Sequence, residues 1–170
     1  MKLIFFDIDG TIIDEETKEM SESTRGAIEQ ARKNGHICVI NTGRTWRLVN
    51  GTITGLTEFD GYILGCGTMI IYHDKVLMHE TFSEETAKRI VTGLRKYKVD
   101  ALLEGCDNNF HDDLQKINTK LFYDFVTRFY GKISAALIPQ QDSLISSMHM
   151  WRIKPIWRLF TGNLPESLIL

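Results

Sequence analysis

No run of apolar residues in this chain approaches the roughly 18 needed to cross a bilayer. The opening segment has only four in a row, Leu3 to Phe6, before Asp7 and Asp9 interrupt it. That is too short for the apolar stretch of a secretory leader, so the expectation is a cytoplasmic, soluble protein with no membrane partner. Cysteine is sparse: Cys38, Cys66 and Cys106 are odd in number, scattered and without CxxC spacing. This argues against a disulfide framework or a zinc site and suits a reducing compartment. The histidines, His36, His73, His79, His111 and His149, show no His-x-x-x-His or mixed Cys/His spacing either. Neither sign of charge dominates, with 20 basic against 22 acidic residues and a net charge of −2. No long basic run appears, so nucleic acid is not an expected partner. Internal repeats and low-complexity segments are absent as well.

What is present is enough apolar material for a core, 43% of 170 residues, in a length that suits one domain or one domain with a small insertion. Leu3–Ile8 is a short β-prone run ended by acidic residues and glycine, which reads as a buried parallel strand with both faces covered. Ser21–Asn34 reads as a helix, with Ser21 or Ser23 as its cap, Ala27, Ile28 and Ala31 as its apolar stripe, and Gly35 as its stop. His36–Asn41 reads as a second buried strand. Thr45–Thr54 reads as a helix with Trp46, Val49 and Ile53 on one face, and Gly61–Gly65 as a third strand. Strand, helix, strand, helix, strand predicts an α/β fold with a parallel sheet. The pattern then changes. Thr68–Tyr72 and Val76–Glu80 flank His73-Asp74-Lys75 as a hairpin. Phe82–Tyr97 reads as an amphipathic helix that starts at Ser83 and buries Ile90, Leu94 and Tyr97. A strand is expected over Ala101–Glu104 and a long helix over Asp112–Gly131, with the Phe/Tyr cluster at 122–130 in its core face. No clean period is visible from Met148 onward.

The chemistry is concentrated in Phe5-Phe6-Asp7-Ile8-Asp9-Gly10-Thr11-Ile12. Two carboxylates stand two residues apart at the carboxyl end of the first strand, where open parallel sheets place their ligands. In an extended chain, residues i and i+2 point the same way, so both can face one cleft. A divalent cation such as Mg²⁺, which prefers oxygen ligands, relieves their repulsion. One carboxylate can then attack phosphorus while the other moves a proton. Asp-x-Asp alone suits a solvated strand-to-turn junction equally well; the apolar strand before it and the Gly-Thr after it favour a site. The second signal is Val39-Ile40-Asn41-Thr42-Gly43-Arg44 at the end of the second strand. A hydroxyl and backbone N–H groups at a strand-to-helix turn can hold a phosphoryl group, and Arg44 can add charge. Glu15, Glu16 and Asp14 read as a solvated loop.

With both motifs in this order, the sequence resembles the haloacid dehalogenase superfamily, in particular its Cof-like branch with an α/β (type IIB) cap. Phe59 to Tyr72 resembles that branch's third strand and the hairpin leading to the cap. The resemblance implies a Rossmann-like parallel-sheet core at residues 1–81, an inserted cap at 82–147 and an atypical tail at 148–170. It implies Mg²⁺-dependent hydrolysis of a small phosphorylated metabolite, a sugar phosphate or nucleotide-related monoester, through an aspartyl phosphate. Asp7 would be the nucleophile and Asp9 the acid/base, with its backbone carbonyl on the metal, so Asp7 and Asp9 are the metal-site residues. Gly10, Thr11, Thr42, Gly43 and Arg44 would bind phosphate.

The resemblance also has departures. Cys66 stands where the family usually has asparagine. The late lysine and Gly-Asp-x-x-x-Asp run of the branch have no clear counterpart: Lys154 lies in Arg152-Ile153-Lys154-Pro155, and Gly162-Asn163 has an amide where an aspartate is wanted. The expectation is therefore a C-terminally truncated relative with an incomplete core, an open edge on the first strand and weak Mg²⁺ binding. The alternative function is an inactive or weakly phosphate-binding remnant. Small capless relatives would instead place the late acids at Glu104, Asp107, Asp112 and Asp113, with Lys96 or Lys98 upstream. The hairpin at Thr68–Glu80 favours the capped arrangement, in which those acids form a solvated loop.

Overall fold

In this computed structural model, residues 1–97, 99, 101–111, 135–137 and 150–155 are described, the residues from 111 onward through their backbone alone. The chain divides into two compact units, Met1–Thr81 and Phe82–Leu170.

The first unit is a five-stranded sheet in the order β1-β2-β3-β4-β5. β1 (Leu3–Phe6), β2 (Ile37–Asn41) and β3 (Gly61–Leu64) run parallel, and β4 (Met69–Tyr72) and β5 (Lys75–His79) follow as an antiparallel hairpin. β2 lies between two parallel neighbours and buries Cys38, Val39 and Ile40. Each such aliphatic side chain contributes roughly 1.5–3 kcal/mol by leaving water. The turn from β4 to β5 is His73-Asp74, with φ of 44° and 62°, the paired left-handed conformation whose twist matches a two-residue hairpin.

Helix α1 (Glu22–Lys33) begins at Ser21, whose hydroxyl accepts the Thr24 N–H at 3.1 Å. It ends with Gly35 at φ +77°, where the Gly35 and His36 N–H groups bond back to the Arg32 and Ala31 carbonyls. Of the expected stripe, Ile28 is buried and Ala31 half-buried, but Ala27 is exposed. The helix after β2 is shorter than its pattern suggests. α2 covers only Trp46–Val49, because Asn50 turns extended and Gly51 takes φ +78°. Val49 and Ile53 are nevertheless buried, since the Thr52, Ile53 and Thr54 N–H groups all turn back onto the Val49 carbonyl.

Arg32, on the last turn of α1, ties the unit together. Its guanidinium bonds Glu58 at 2.8 Å and Asp60 at 3.2 Å, and Asp60 accepts the Cys38 backbone N–H at 2.8 Å. This clamp joins α1, β2 and the entry to β3. Gly61 then passes so close to β4 that a Cβ there would lie 2.8 Å from the Ile71 carbonyl oxygen, so only glycine fits.

β1 differs from the expectation of a strand covered on both faces. It is an edge strand, paired with β2 alone among the described residues, and Leu3 and Phe5 are about half exposed. Burial on the second edge requires another strand, which an apolar sequence alone does not guarantee.

The second unit has helix α3 (Glu84–Tyr97) and a four-stranded sheet, β8-β7-β6-β9, made from β6 (Ala101–Gly105), β7 (Asn109–His111), β8 (Ala135–Leu137) and β9 (Met150–Pro155). Ser83 opens α3 by accepting the Thr86 N–H at 3.2 Å. Ala87, Ile90 and Val91 pack with Ala101 and Leu103, and Leu94 and Phe110 join at the margin. Tyr97, expected inside, is 54% exposed at the helix end; Ala87 and Val91 take the buried face instead. Two further expectations are corrected. The segment without a visible period contains β9, which pairs antiparallel with β6 from Ala101↔Pro155 to Gly105↔Met150. Glu104, counted with the acids of a solvated loop, is a fully buried strand residue, and so is its partner across the pair, Asn109. The expected Asp112–Gly131 helix lies outside the described residues. Among the described residues no helix is long and apolar enough to cross a membrane.

Candidate active site

The site begins where β1 ends. Phe6 pairs with Ile40, so the segments that follow them, Asp7 onward and Asn41 onward, run side by side. Adjacent strands lie about 4.8 Å apart. After β1 the backbone coils on a single carbonyl: the Ile8 oxygen accepts the N–H groups of Thr11, Ile12 and Ile13 at 3.3, 3.2 and 3.0 Å, and Gly10 donates to the Ile13 oxygen at 3.0 Å. Ile8, Ile12 and Ile13 are buried and anchor the coil, while Asp7, Asp9, Gly10 and Thr11 are exposed. Gly10 sits at φ +72°, and a Cβ there would meet the Glu15 carboxylate at 2.8 Å. The turn therefore demands glycine for its left-handed conformation, while the exposed Glu15 side chain is free to move aside. These bonds leave the Asp9 carbonyl out. They also commit the Gly10 and Thr11 N–H groups inside the turn, so Thr11 has only its hydroxyl to offer a ligand.

The acids that follow, Asp14, Glu15 and Glu16, lie in an exposed loop, as expected. Asp14 accepts the Glu16 and Thr17 N–H groups and the Thr17 hydroxyl. The Thr17 and then the Glu16 backbone bonds hold its carboxyl below the usual aspartate value. Its carboxylate thereby organises the loop through Thr17.

From β2, Thr42 extends the ladder by one more bond to the Ile63 carbonyl at 2.9 Å, and its Oγ1 accepts the Arg44 N–H at 3.1 Å. A hydroxyl that accepts in this way keeps its own proton to donate. The loop is braced from the end of β3: Gly65 and Cys66 donate N–H groups to the Arg44 and Thr42 carbonyls at 2.9 and 3.3 Å. Gly65, Cys66 and Gly67 have φ of 57°, 59° and 94°. Cys66 therefore occupies a left-handed position, where a non-glycine residue costs roughly 1–2 kcal/mol and asparagine is tolerated better than most. The asparagine that the resemblance puts at this position suits that conformation. Cys66→Asn is expected to raise unfolding stability by about 0.5–1 kcal/mol, read as a higher urea midpoint at constant slope.

The two loops meet through Arg44 and Asp9. Arg44 Nε lies 3.0 Å from Asp9 Oδ2, and Nη2 lies 2.5 Å from Oδ1. This is a two-pronged pair between residues 35 positions apart, with a geometry only arginine provides. The sequence pattern put Arg44 on phosphate; the structure puts its fork on the second carboxylate. Asp7 makes no hydrogen bond or ion pair among the described residues. Gly43 lies between Thr42 and Arg44, half-buried. The structure thus brings Asp7, Asp9, Thr42, Gly43 and Arg44 to one end of the parallel strands. The brace from Gly65 and Cys66 is made by backbone N–H groups, so a backbone-fixing role at this position holds with cysteine in place of asparagine.

Mg²⁺ favours hard oxygen donors. The unpaired Asp7 carboxylate and the Asp9 backbone carbonyl fit that requirement, whereas the Asp9 carboxylate is engaged by Arg44. No cluster of three or more metal-ligating side chains occurs among the described residues. Two of the three cysteines, Cys38 and Cys106, are held in their thiol form. Burial holds the Cys38 thiol above its usual value, and burial together with Asp107 raises Cys106 to about 11. A concavity of about 640 Å³ lined by Arg32, Lys33, Thr54, Thr57 and Glu58 contains none of the candidate residues.

Comparison with known proteins agrees with this architecture. A family model described as haloacid dehalogenase-like hydrolase matches residues 4–151. The Bacillus subtilis (strain 168) protein YkrA, whose name marks it as an inferred phosphatase, is 34% identical over 92 residues, covering 53% of this chain and 34% of YkrA. Among solved structures, a hypothetical protein from Geobacillus kaustophilus HTA426 superposes with a TM-score of 0.73 at 18% identity, covering 89% of this chain and 56% of that one. A subclass IIB sugar phosphatase gives 0.66 at 21% identity, covering 88% and 56%. At such identities the structural likeness establishes the fold, a Rossmann-like sheet with helices. The chain spans about a third of the length of YkrA and a little over half of these solved chains.

Proposed function

Because the chain belongs to the haloacid dehalogenase-like hydrolase family, we propose that its site hydrolyses small phosphate monoesters, sugar phosphates or nucleotide-related compounds, with Asp7 as nucleophile. The observation that carries this reading is the unequal treatment of the two carboxylates. Asp7 is exposed and unpaired among the described residues, while Asp9 is gripped by Arg44. A free carboxylate can attack, and a held one can keep its orientation while it gains and loses a proton.

In the first half-reaction an Asp7 carboxylate oxygen bonds to phosphorus and the ester P–O bond breaks. Asp9 gives its proton to the departing alcohol oxygen. In the second, Asp9, now a carboxylate, takes a proton from water, whose oxygen attacks the same phosphorus. The acyl–phosphate bond breaks, phosphate leaves and Asp7 is restored. Thr42 donates its hydroxyl proton to a phosphoryl oxygen, with the Thr11 hydroxyl and Gly43 beside it. Magnesium, which the Asp7 carboxylate and Asp9 carbonyl would hold, supplies positive charge against the phosphoryl oxygens.

Arg44 acts here by positioning Asp9. Arg44→Met is expected to lower kcat by about 10²-fold while leaving KM nearly unchanged, because misplacement of a reacting group by about 1 Å costs that much. Arg44→Lys, which keeps the charge without the fork, should recover only part of it. A rise in KM at constant kcat would place Arg44 on the substrate instead.

The reading is tested by mixing the full chain with p-nitrophenyl phosphate and Mg²⁺, quenching in acid and measuring intact mass. One added phosphoryl group, removed by hydroxylamine, is the expected result. The second reading, a phosphate-binding remnant without turnover, is favoured by the presence of only two candidate metal-site acids among the described residues. Binding of inorganic phosphate without any covalent phosphoryl group would select it.

A further inference from the structure

The concavity on the first unit takes no part in the chemistry at Asp7. At about 640 Å³ it has the size of a small-molecule pocket, and it opens to solvent between the last turns of α1 and the loop that leads to β3. Two of its four charged side chains answer each other: Arg32 bonds Glu58 at 2.8 Å, and bonds Asp60 behind it at 3.2 Å. The other two do not. Glu29 and Lys33 stand at positions i and i+4 of α1, acid first, the spacing and order in which such side chains pair. On α3, Glu84 and Lys88 in the same arrangement meet at 2.6 Å. Glu29 and Lys33, both exposed and both lining the cavity, make no side-chain hydrogen bond or ion pair among the described residues. The loop side of the cavity offers hydroxyls. The Thr57 hydroxyl has no partner among the described residues, and Thr54 Oγ1 accepts the Gly51 N–H at 2.8 Å and so keeps its own proton to donate. Half-buried Leu56 lies between them in the loop and supplies apolar surface.

These groups narrow the chemistry of an occupant. A phosphate would be drawn to Lys33 and repelled by Glu29 and Glu58. A polyamine would meet the carboxylates and be repelled by Lys33. An uncharged apolar molecule would take two charges out of water and return no partner to either, which is costly. A molecule that carries an ammonium and a carboxylate together answers both, and an apolar side chain on it can rest against Leu56. We propose that this cavity binds a free amino acid with a small apolar side chain, its ammonium toward Glu29 and its carboxylate toward Lys33 and the Thr54 and Thr57 hydroxyls. The cavity contains none of the candidate catalytic residues, so this site does not depend on phosphate chemistry.

The test uses the full chain and L-valine as the probe, near neutral pH and with no phosphorylated compound present. Valine should move the backbone amide resonances of Thr54 to Glu58 in a ¹⁵N–¹H spectrum along a saturating curve. Isobutylamine, which lacks the carboxylate, and isovalerate, which lacks the ammonium, should each bind at least about tenfold more weakly, since each forfeits one charge-assisted contact. Glu29→Gln and Lys33→Met, both at exposed positions, should melt with the parent and weaken valine binding by a similar factor. Asp7→Asn should bind valine as the parent does, which keeps this result separate from the phosphatase reading. Resonances that stay still or drift without saturating would overturn the proposal. Equal binding of valine and either fragment would overturn it too, by showing that one charge suffices. Undiminished valine binding in Glu29→Gln or Lys33→Met would likewise overturn it. The fragment comparison needs no variant, so it decides the matter even if a substituted chain fails to fold.

Discussion

Asp7→Asn is expected to reduce p-nitrophenyl phosphate hydrolysis with Mg²⁺ by at least about 10³-fold, since losing a covalent nucleophile removes the pathway and leaves only binding and polarisation. The substitution suits the question because it changes so little else. Asparagine has nearly the same size, and Asp7 is exposed with no hydrogen bond or ion pair among the described residues. The melting temperature should therefore stay close to that of the parent. The buried anchors of the turn, Ile8, Ile12 and Ile13, are untouched, so Asp9 and Arg44 keep their pairing. The mass gain of one phosphoryl group on acid quenching should vanish together with turnover. Activity that survives in Asp7→Asn would show that another group attacks phosphorus and that the aspartyl phosphate is not formed here.

The largest expected effect on stability falls on Asp60. Asp60→Ala should cost about 2–3 kcal/mol, because it removes two charge-assisted interactions at once and leaves a backbone donor unmet. Its carboxylate accepts the Cys38 N–H and meets the Arg32 guanidinium, with the two side chains 13% and 27% exposed. Burial by itself raises the Asp60 carboxyl; the Cys38 N–H and Arg32 together outweigh it and hold the carboxyl below its ordinary value. A depressed carboxyl stabilises the fold above the unfolded-chain pKa, and the gain disappears as pH falls through the folded value. The difference in unfolding free energy between parent and Asp60→Ala should thus be constant near neutrality and shrink below about pH 4. Urea unfolding at several pH values measures it. A difference that does not change down to pH 2 would mean the carboxylate is not the source of the stability. The consequence reaches the site, because the clamp fixes the start of β2 against the entry to β3, and those strands carry the Thr42 loop and the Gly65–Cys66 brace.

Much of this was legible in the chain itself because it is local. Ser21 and Ser83 cap their helices, Gly35 ends α1, and His73-Asp74 turns the hairpin, each through bonds within a few residues. The parallel order of β1, β2 and β3 follows from alternating strand and helix patterns. Asp-x-Asp-Gly-Thr and Thr-Gly-Arg carry their chemistry in adjacent residues, and each stands at the end of a strand that any parallel arrangement would align.

What the sequence by itself determined, then, is the family, the α/β class and the placing of two acids at the end of the first strand, since each depends on neighbours within one turn or strand. Only the tertiary structure decided which partner each polar group meets. Arg44 pairs with Asp9 across 35 residues, Asp60 locks to Arg32 and Cys38, β9 forms in a segment with no period of its own, and Asn109 is buried among strands. The physical reason is the same throughout. Burial, strand pairing and ion-pair choice depend on which distant segments arrive side by side, and that is a property of the assembled fold, which no local pattern encodes.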